Sequence, residues 1–337
     1  MGVNALNLKQ SNIHTVLWAL RSCKTSTTKA LAQMTGLSFA TVGNILNALV
    51  ETGEVLLGEQ VASAGGRPSQ TYTFHAEFAH ILAVSARVQH GEHTIQACVG
   101  NLYGEVVWEI RQSFDTIRLA SLEEMVEASM QQYPTIRLLS VALPGVEHSG
   151  RILLNDYEEL VGVPFQEHFQ EKYGLPVILE NDVNAAVMGH CRAAEPSSVT
   201  VGIYFPQTFP PGAGIMINGS ILKGARGFAG EVALLDLGID WLAVDYGNPE
   251  EVGSAITRLI GMLCGILNPD QVVLYGEFFS PAVVESIHRS IPVLAVRYIF
   301  PSLNYTADLN ADIIGGLMEL AISAYCKNNF NVKQAMI

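Results

Sequence analysis

The sequence predicts an α/β protein of two lobes, preceded by a small helical head that ends in a hairpin wing. Three observations carry this. Apolar residues in the first fifty positions recur with a helical period, and from His80 they switch to alternation with a period of two. Strand-like and helix-like stretches then follow one another through the rest of the chain, the pattern of a layered α/β fold. Hydrophobic residues make up 49% and charged residues 15% of the 337, enough apolar material for more than one core and too little polarity for disorder. At roughly 100–200 residues per domain, the length suits two or three domains.

The head comes first. Ile13, Val16, Leu17 and Leu20 recur at i, i+3, i+4 and i+7 and define an amphipathic helix. Ser26 is the expected cap of a second, short helix that buries Ala30, Leu31 and Met34 and stops at Gly36. Ser38 is the expected cap of a third, which buries Val42, Ile45, Leu46 and Leu49 and ends near Gly53. Two helices around the tight turn "TGLS" make a helix-turn-helix. "EVLLGEQ" and "QTYTFH" read as strands flanking a glycine-rich tip, "VASAGGRPS", that carries Arg67.

In such modules the N-terminal part of the third helix meets base edges in the major groove. Ser38, Phe39, Ala40, Thr41, Asn44 and Asn47 occupy that part here. Asn pairs bidentately with adenine, and a methyl group or ring touches thymine. Arg67 suits phosphate or the minor groove. The charge agrees with a nucleic-acid partner for the head alone. Residues 1–70 hold five basic against three acidic residues, a surplus of two in a chain of net charge −13, so the remainder carries −15. No Lys or Arg lies between positions 30 and 66, so the third helix brings no cation to phosphate and a dimer is needed for affinity. The competing reading of the head is a three-helix module for protein contacts.

The body follows. "HILAVSARVQ", "HTIQACVGNL" and "EVVWEIRQSF" are three strands joined by turns. The helical "LASLEEMVEASMQQY" leads to the strand "IRLLSVALPG". Beyond these come "GLPVILENDVNAAVMGH", "SVTVGIYF", "GAGIMINGSILKGARGFAGEVALL", the helix "PEEVGSAITRLIGMLCGILNPD" and the strand "QVVLYG". The longest apolar runs, such as "LIGMLCGIL", are too short for a helical membrane span. The first twelve residues lack the basic and apolar regions of a secretory signal. Five scattered cysteines read as reduced thiols, so a cytoplasmic protein is expected.

Three stretches, "LPVILENDVNAA", "GAGIMINGSILKGARGFAGE" and "LNPDQVVLYG", in that order and behind a head ending in "GGRPS", resemble the ROK family of repressors, open reading frames and kinases. The likeness implies an actin-like, ribonuclease-H-like body. It divides the chain into a winged helix-turn-helix at 1–75, a first lobe at 76–182 plus 310–337, and a second lobe at 183–309. In the family's kinases the Asp of Glu-Asn-Asp takes a proton from a sugar hydroxyl. The matching residue is Asp182, preceded by Asn181. Glu231 matches a residue that contacts sugar hydroxyls, and Asn155 lies near a further sugar contact. The plain alternative for Asp182 is a helix cap, and for Glu231 a carboxylate at a helix start.

The same likeness marks three departures from a kinase. Ser85 stands where the phosphate loop carries an Asp, and Arg87 where it carries a glycine. The second phosphate loop, Gly-Thr-Gly in the family, reads Thr208-Phe209-Pro210, and Pro210 and Pro211 have no N–H to offer an anion. Leu234 replaces a zinc-binding His, and "LDLGIDWLAVDYGNPEE" holds none of the family's zinc cysteines. His90 and His93 lack a third ligand, so no metal is expected. Gly212 and Gly214 in "GAGIMING" are expected to let a hairpin turn and pack as scaffold.

The sequence therefore predicts a transcription regulator of carbohydrate metabolism, a repressor, without catalysis or cofactor. It binds operator DNA as a homo-oligomer, dimer or tetramer, has no membrane partner, and senses a sugar or sugar phosphate. The alternatives are a sugar kinase with a fused head, and a regulator controlled by a protein partner.

Overall fold

The computed structural model describes residues 2–63, 66–89, 91–193, 198–206, 208–291, 300–306 and 308–332. The head contains α1 (Gly2–Cys23), β1 (Thr25–Thr27), α2 (Thr28–Thr35), α3 (Phe39–Thr52), β2 (Val55–Ser63) and β3 (Gly66–Phe74). Val16, Leu17 and Leu20 of α1 are buried, as their spacing requires. Ser38 caps α3 by accepting from the Thr41 N–H at 3.1 Å, and Gly53 closes it in the left-handed conformation. The α3 residues Val42, Ile45, Leu46 and Leu49 face inward. With β2 and β3 paired as an antiparallel hairpin, the head is a winged helix-turn-helix.

Three local expectations are corrected. Thr27, not Ser26, caps α2, accepting from the Ala30 N–H. Ser26 is drawn into β1, where it pairs with Tyr72 of β3. In α2, Leu31 is fully buried, but Met34 is 57% exposed and Ala30 only partly covered, because so short a helix presents one narrow stripe to α3. The wing strands also run into the expected tip: Ser63 pairs with Gly66.

The first sheet of the body has the order β10-β7-β4-β5-β6. Its strands β4 (His80–Gln89), β5 (Glu92–Gly100) and β6 (Val106–Phe114) form an antiparallel meander. Helix α4 (Leu119–Gln132) leads to β7 (Ile136–Leu143), parallel to β4. A small hairpin, β8 (Val146–His148) and β9 (Arg151–Leu154), and α5 (Phe165–Tyr173) precede β10 (Val177–Asn181), parallel to β7. The alternation of β4 divides its side chains between two cores. Leu82, Val84 and Ala86 pack with Leu122, Met125, Phe165 and Phe169, while Ile81 and Ala83 pack with Leu317 and Ile322.

The chain then forms α6 (Asp182–His190), β11 (Val199–Tyr204), β12 (Gly212–Ile217), β13 (Ser220–Ile221), α7 (Pro249–Leu267), β14 (Gln271–Tyr275), α8 (Pro281–Ser290), β15 (Ser302–Thr306) and α9 (Leu309–Val332). The second sheet has the order β13-β12-β11-β14-β15. Val201, Ile203, Ile256, Leu259, Val272 and Ile287 build its core with α7 and α8.

Helices α6 and α9 lie between the two sheets and cross at very short range. A Cβ on Gly316 would overlap the Ala185 carbonyl oxygen and lie 2.8 Å from its carbon, and one on Gly189 would overlap the Asp312 carbonyl. Gly214 is also a close-approach residue: a Cβ there would lie 2.7 Å from the Val183 oxygen. Its expected role in packing stands, but neither it nor Gly212 makes a turn. Both lie within β12, and Asn218 and Gly219, at positive φ, make the turn into β13.

The head is docked on the body. Val16, Leu20 and Phe74 share one continuous core with Leu102, Met318 and Ile322. Arg21 of α1 donates from Nε to the Leu102 carbonyl at 2.7 Å and lies 3.9 Å from Glu319 of α9. No helix among the described residues is long and apolar enough to cross a membrane.

Candidate ligand cleft and DNA-facing head

The strand β10 ends at Asn181 and α6 begins at Asp182, so the Glu-Asn-Asp motif sits where a strand feeds a helix N-terminus. The cap is Asn181, not Asp182. Its Oδ1 accepts from the N–H groups of Val183 (2.9 Å) and Asn184 (3.0 Å), and its Nδ2 donates to the Gly145 carbonyl at 2.9 Å. Asp182 is 4% exposed, and its Oδ1 accepts from the Val183 N–H at 2.9 Å. Burial raises its pKa; that helix N–H and the guanidinium of Arg87 act in the opposite direction. The carboxyl of Asp182 is therefore enclosed in the wall of the site.

Around Asp182 the structure gathers a cleft of ≈ 300 Å³, lined among others by Arg87, Asn155, Asp156, Asp182, Tyr204 and Glu231. All four sugar-binding candidates from the sequence reach it, since Asn181 lines it too. Their chemistry differs. The Asn155 amide is engaged, donating to the Pro144 carbonyl at 2.6 Å and accepting from the Tyr157 N–H at 2.9 Å. Asn155 and Asn181 thus shape the cleft wall, while Asp182 and Glu231 supply carboxylates. Glu231 precedes the 3-10 turn Val232–Leu234 without capping it, and burial and then Asp182 raise its pKa.

Two cleft residues escaped the sequence reading as members of the site. Asp156 is one. The residue as a whole is exposed, yet its carboxyl is pushed up to about 6, first by burial of the carboxyl end against the cleft and then by the charges of Asp182 and Glu231. Its adjacency to Asn155 was the available signal. Arg87 is the other. It is 7% exposed, its guanidinium hydrogen-bonds the Tyr204 phenol, and its charge acts on Asp182. The sequence marked it only as a departure from glycine. The Arg87 Nε, the Tyr157 hydroxyl and the Ser85 Oγ are buried without a protein hydrogen-bond partner.

Pro206, Phe209, Pro210 and Pro211 supply an apolar part of the same lining. An ion triad joins the segment after β13 to the first sheet: Lys223 Nζ lies 2.8 Å from buried Glu180 and 3.0 Å from Glu147. Leu234 is 78% exposed. The cysteine-free segment that follows is held by aromatic packing, Trp241 on Phe205 (centroids 5.7 Å) and Tyr246 on Phe278 (4.8 Å). Among the described residues no three His, Cys, Asp or Glu side chains are placed to hold a metal ion. His90 lies outside the described residues; His93 packs edge-on against Tyr157.

In the head, Phe39 (64% exposed), Asn44 and Asn47 present themselves on the outer face of α3. Ser38 is also exposed, but its hydroxyl is shared between the Thr41 N–H and the Thr41 hydroxyl, 2.8 Å away. Ser38 and Thr41 therefore hold the helix start that the other residues project from. The backbone of Arg67 belongs to β3, and its side chain lies outside the described residues.

Residues 86–235 match the profile of the ROK family. The chain carries a ROK family domain. Over 243 residues it is 29% identical to a xylose repressor of Caldicellulosiruptor bescii, covering 69% of this chain and 60% of that protein, so the match spans less than two thirds of its relative. It is 23% identical over 217 residues to the DNA-binding transcriptional dual regulator NagC of Escherichia coli, covering 60% of this chain and 51% of that one. Among solved structures, a ROK family transcriptional regulator described as a homologue of the Escherichia coli MLC protein superposes with a TM-score of 0.70 at 18% identity, covering 97% of this chain and 98% of that one. A ROK glucokinase from Streptomyces griseus, solved with glucose and AMPPNP, superposes with a TM-score of 0.55 at 16% identity over 72% of this chain and 99% of its own. The fold of that regulator therefore extends over nearly the whole chain, head included.

Proposed function

We propose that this chain is a transcription regulator of carbohydrate metabolism, a repressor, whose head binds operator DNA and whose ROK body binds a sugar without phosphorylating it. The observation that carries the reading is the asymmetry of the cleft. The cleft keeps Asp182 and Glu231, which match the family's sugar contacts, while Pro210 and Pro211 line it where the family's second phosphate loop offers N–H groups, and Ser85 replaces the Asp of the first. A hard cation such as magnesium wants carboxylate or phosphate oxygens, and Ser85 is a poor substitute. Pro210 and Pro211 lack the N–H groups that cradle a phosphate. The related repressors, named for xylose and N-acetylglucosamine, support a sugar as effector.

The head supports the DNA half. Asn44 and Asn47 stand exposed on α3, as base-reading side chains must. With few cations per head, affinity calls for a homo-oligomer with two heads on half-sites about one helical turn, or a multiple of it, apart. Acting on DNA implies a cytoplasmic protein. A sugar alters operator affinity only through its different affinity for two arrangements of the body.

The experiment is footprinting of the full-length protein on its own promoter region at low salt, with and without sugars at millimolar concentration. A protected site that a sugar weakens or strengthens is expected. A chain that protects no site is not the regulator described here, and one that protects a site indifferent to every sugar fits control by a protein partner instead.

A further inference from the structure

The cleft is lined by more apolar than polar residues. Its carboxyl groups, on Asp156, Asp182 and Glu231, suit the hydroxyls of a sugar. Much of the remaining lining does not. Leu154 ends β9, and Val161 follows the 3-10 turn Glu158–Leu160. Both line the cleft, yet they keep 50% and 45% of their surface accessible. Phe209, Pro210 and Pro211 reach it from the segment between β11 and β12. The side chains of these five residues hold no polar atom, and the two prolines offer no N–H. A free sugar carries a hydroxyl on nearly every carbon. A hydroxyl laid against these side chains gives up water without a hydrogen bond in return, which is unfavourable. An apolar group laid there makes no such sacrifice and covers side chains that otherwise stay wet.

We propose that the cleft takes a glycoside, a sugar whose anomeric oxygen carries a compact apolar group, in preference to the free sugar. This rests on the reading that the cleft holds a sugar. The ring hydroxyls meet the carboxyl groups, and the apolar group meets Leu154, Val161 and Phe209. Attachment through the anomeric oxygen blocks one hydroxyl and leaves all the others free to bond. Recognition divides accordingly: a few polar groups fix the orientation of the ligand, and apolar surface supplies much of the affinity. The size agrees, since ≈ 300 Å³ is the small end of ligand sites and leaves room for one ring and one compact group. Leu154, Val161 and Phe209 are then the residues that set specificity, and a free sugar holds on by its hydroxyls alone.

The test is calorimetry on the full-length protein with D-xylose and D-glucose, each beside its methyl and phenyl glycosides in both anomeric forms. For at least one of the two sugars, a phenyl glycoside should bind about tenfold more tightly than the free sugar, with the methyl glycoside between them. Tenfold is about 1.4 kcal/mol, the burial of about 55 Å² of apolar surface at about 25 cal/mol/Å². Phe209→Ala should narrow the gap between phenyl and methyl glycoside by about threefold or more. Val161→Thr exchanges a methyl for a hydroxyl at an exposed position, so it should fold as wild type and also narrow the gap. A free sugar that binds as tightly as its phenyl glycosides overturns the proposal and leaves the sensor reading standing. A phenyl preference that neither variant reduces overturns the assignment to this apolar lining. If no compound binds at millimolar concentration, the proposal falls together with the sensor reading, while the footprint still reports on DNA binding.

Discussion

The crossing of α6 and α9 gives the sharpest stability prediction. Gly316 sits on α9 where the two helix backbones meet. A Cβ there would overlap the Ala185 carbonyl oxygen, with Ala185 C at 2.8 Å and Gly189 N at 3.0 Å. Carbon atoms prefer separations of about 3.5–4.0 Å, so the helices would have to part by roughly 1 Å. All three obstacles are backbone, and no rotamer change can clear them. Overpacking of this kind costs about 1–3 kcal/mol, and the upper half of that range applies here. Against it stands the helix propensity of Ala, which favours the substituted helix by about 1 kcal/mol. Gly316→Ala should therefore lose about 1–2 kcal/mol net, a fall in Tm of roughly 1–3 °C for a chain this long. Gly261→Ala on α7 is the matched control. A Cβ there meets nothing within 4 Å, so only the propensity gain remains and Tm should rise by about 1–2 °C. The assay is thermal melting of both variants beside wild type. If Gly316→Ala melts at or above Gly261→Ala, the close crossing is wrong.

Further predictions concern the cleft and the head. Asp182→Asn should weaken the sugar by about 10- to 150-fold, the loss of a charge-assisted hydrogen bond, measured by calorimetry; equal binding would move the ligand elsewhere. Asn is the proper probe because it removes the charge while keeping the side chain's volume, whereas an Ala at this enclosed site would also leave a cavity. Because the carboxyl of Asp156 is pushed up to about 6, it is mostly ionised, and so able to accept a sugar hydroxyl in the stronger charge-assisted bond, only above that pH. Sugar affinity should accordingly rise from pH 5 to pH 7, and Asp156→Asn should remove the Asp156 contribution to that rise; a wild-type affinity flat across this range would remove Asp156 from the site. Asn44→Ala should change which operator sequence is preferred, whereas Arg67→Ala should weaken all sequences alike and lower the salt slope by about 1, both read from binding selections at two salt concentrations. Finally, incubation with ATP and hexoses should give no sugar phosphate; turnover that Asp182→Asn abolishes would restore the kinase reading.

Local signals in the sequence were sufficient wherever local chemistry decides structure. Ser38 and Gly53 delimit α3 by capping, and the alternation of β4 assigns its residues to two cores without further information. Tertiary pairing was not legible in the same way. Ser26 has the chemistry of a cap, but pairing with Tyr72, far along the chain, removes it from that role. Gly214 looks like a turn glycine, yet the reason for it is the Val183 carbonyl on another element. Arg87 was visible as a missing glycine, but its relation to Asp182 exists only because the sheet order β10-β7-β4 brings the ends of β4 and β10 to one edge of the cleft. Asp156 shows the same limit: an acid after a strand reads as surface until Asp182 and Glu231 are found beside it.

That tertiary arrangement also supplies a route from cleft to head. Asp182 is the first residue of α6, so a ligand held by it acts on the helix directly. Helix α6 meets α9 through Gly189 and Gly316, backbone against backbone, with no flexible side chain to absorb a displacement. Further along α9, Met318 packs so closely on β5 that a Cβ on Gly100 would lie 2.6 Å from its sulfur. Arg21 of α1 then spans the end of this path, bonded to the Leu102 carbonyl just beyond β5 and facing Glu319 one residue after Met318. Closely packed interfaces tend to shift between discrete arrangements rather than deform smoothly. A sugar that drew Glu231 toward Asp182 would favour one such arrangement of α6 on α9, and the docked head would follow α9 because Arg21 and the shared core leave it no slack. If the proposed function holds, the two heads of a dimer would then change spacing by rigid displacement, and the Arg21 contacts would be where sensing and DNA binding are joined.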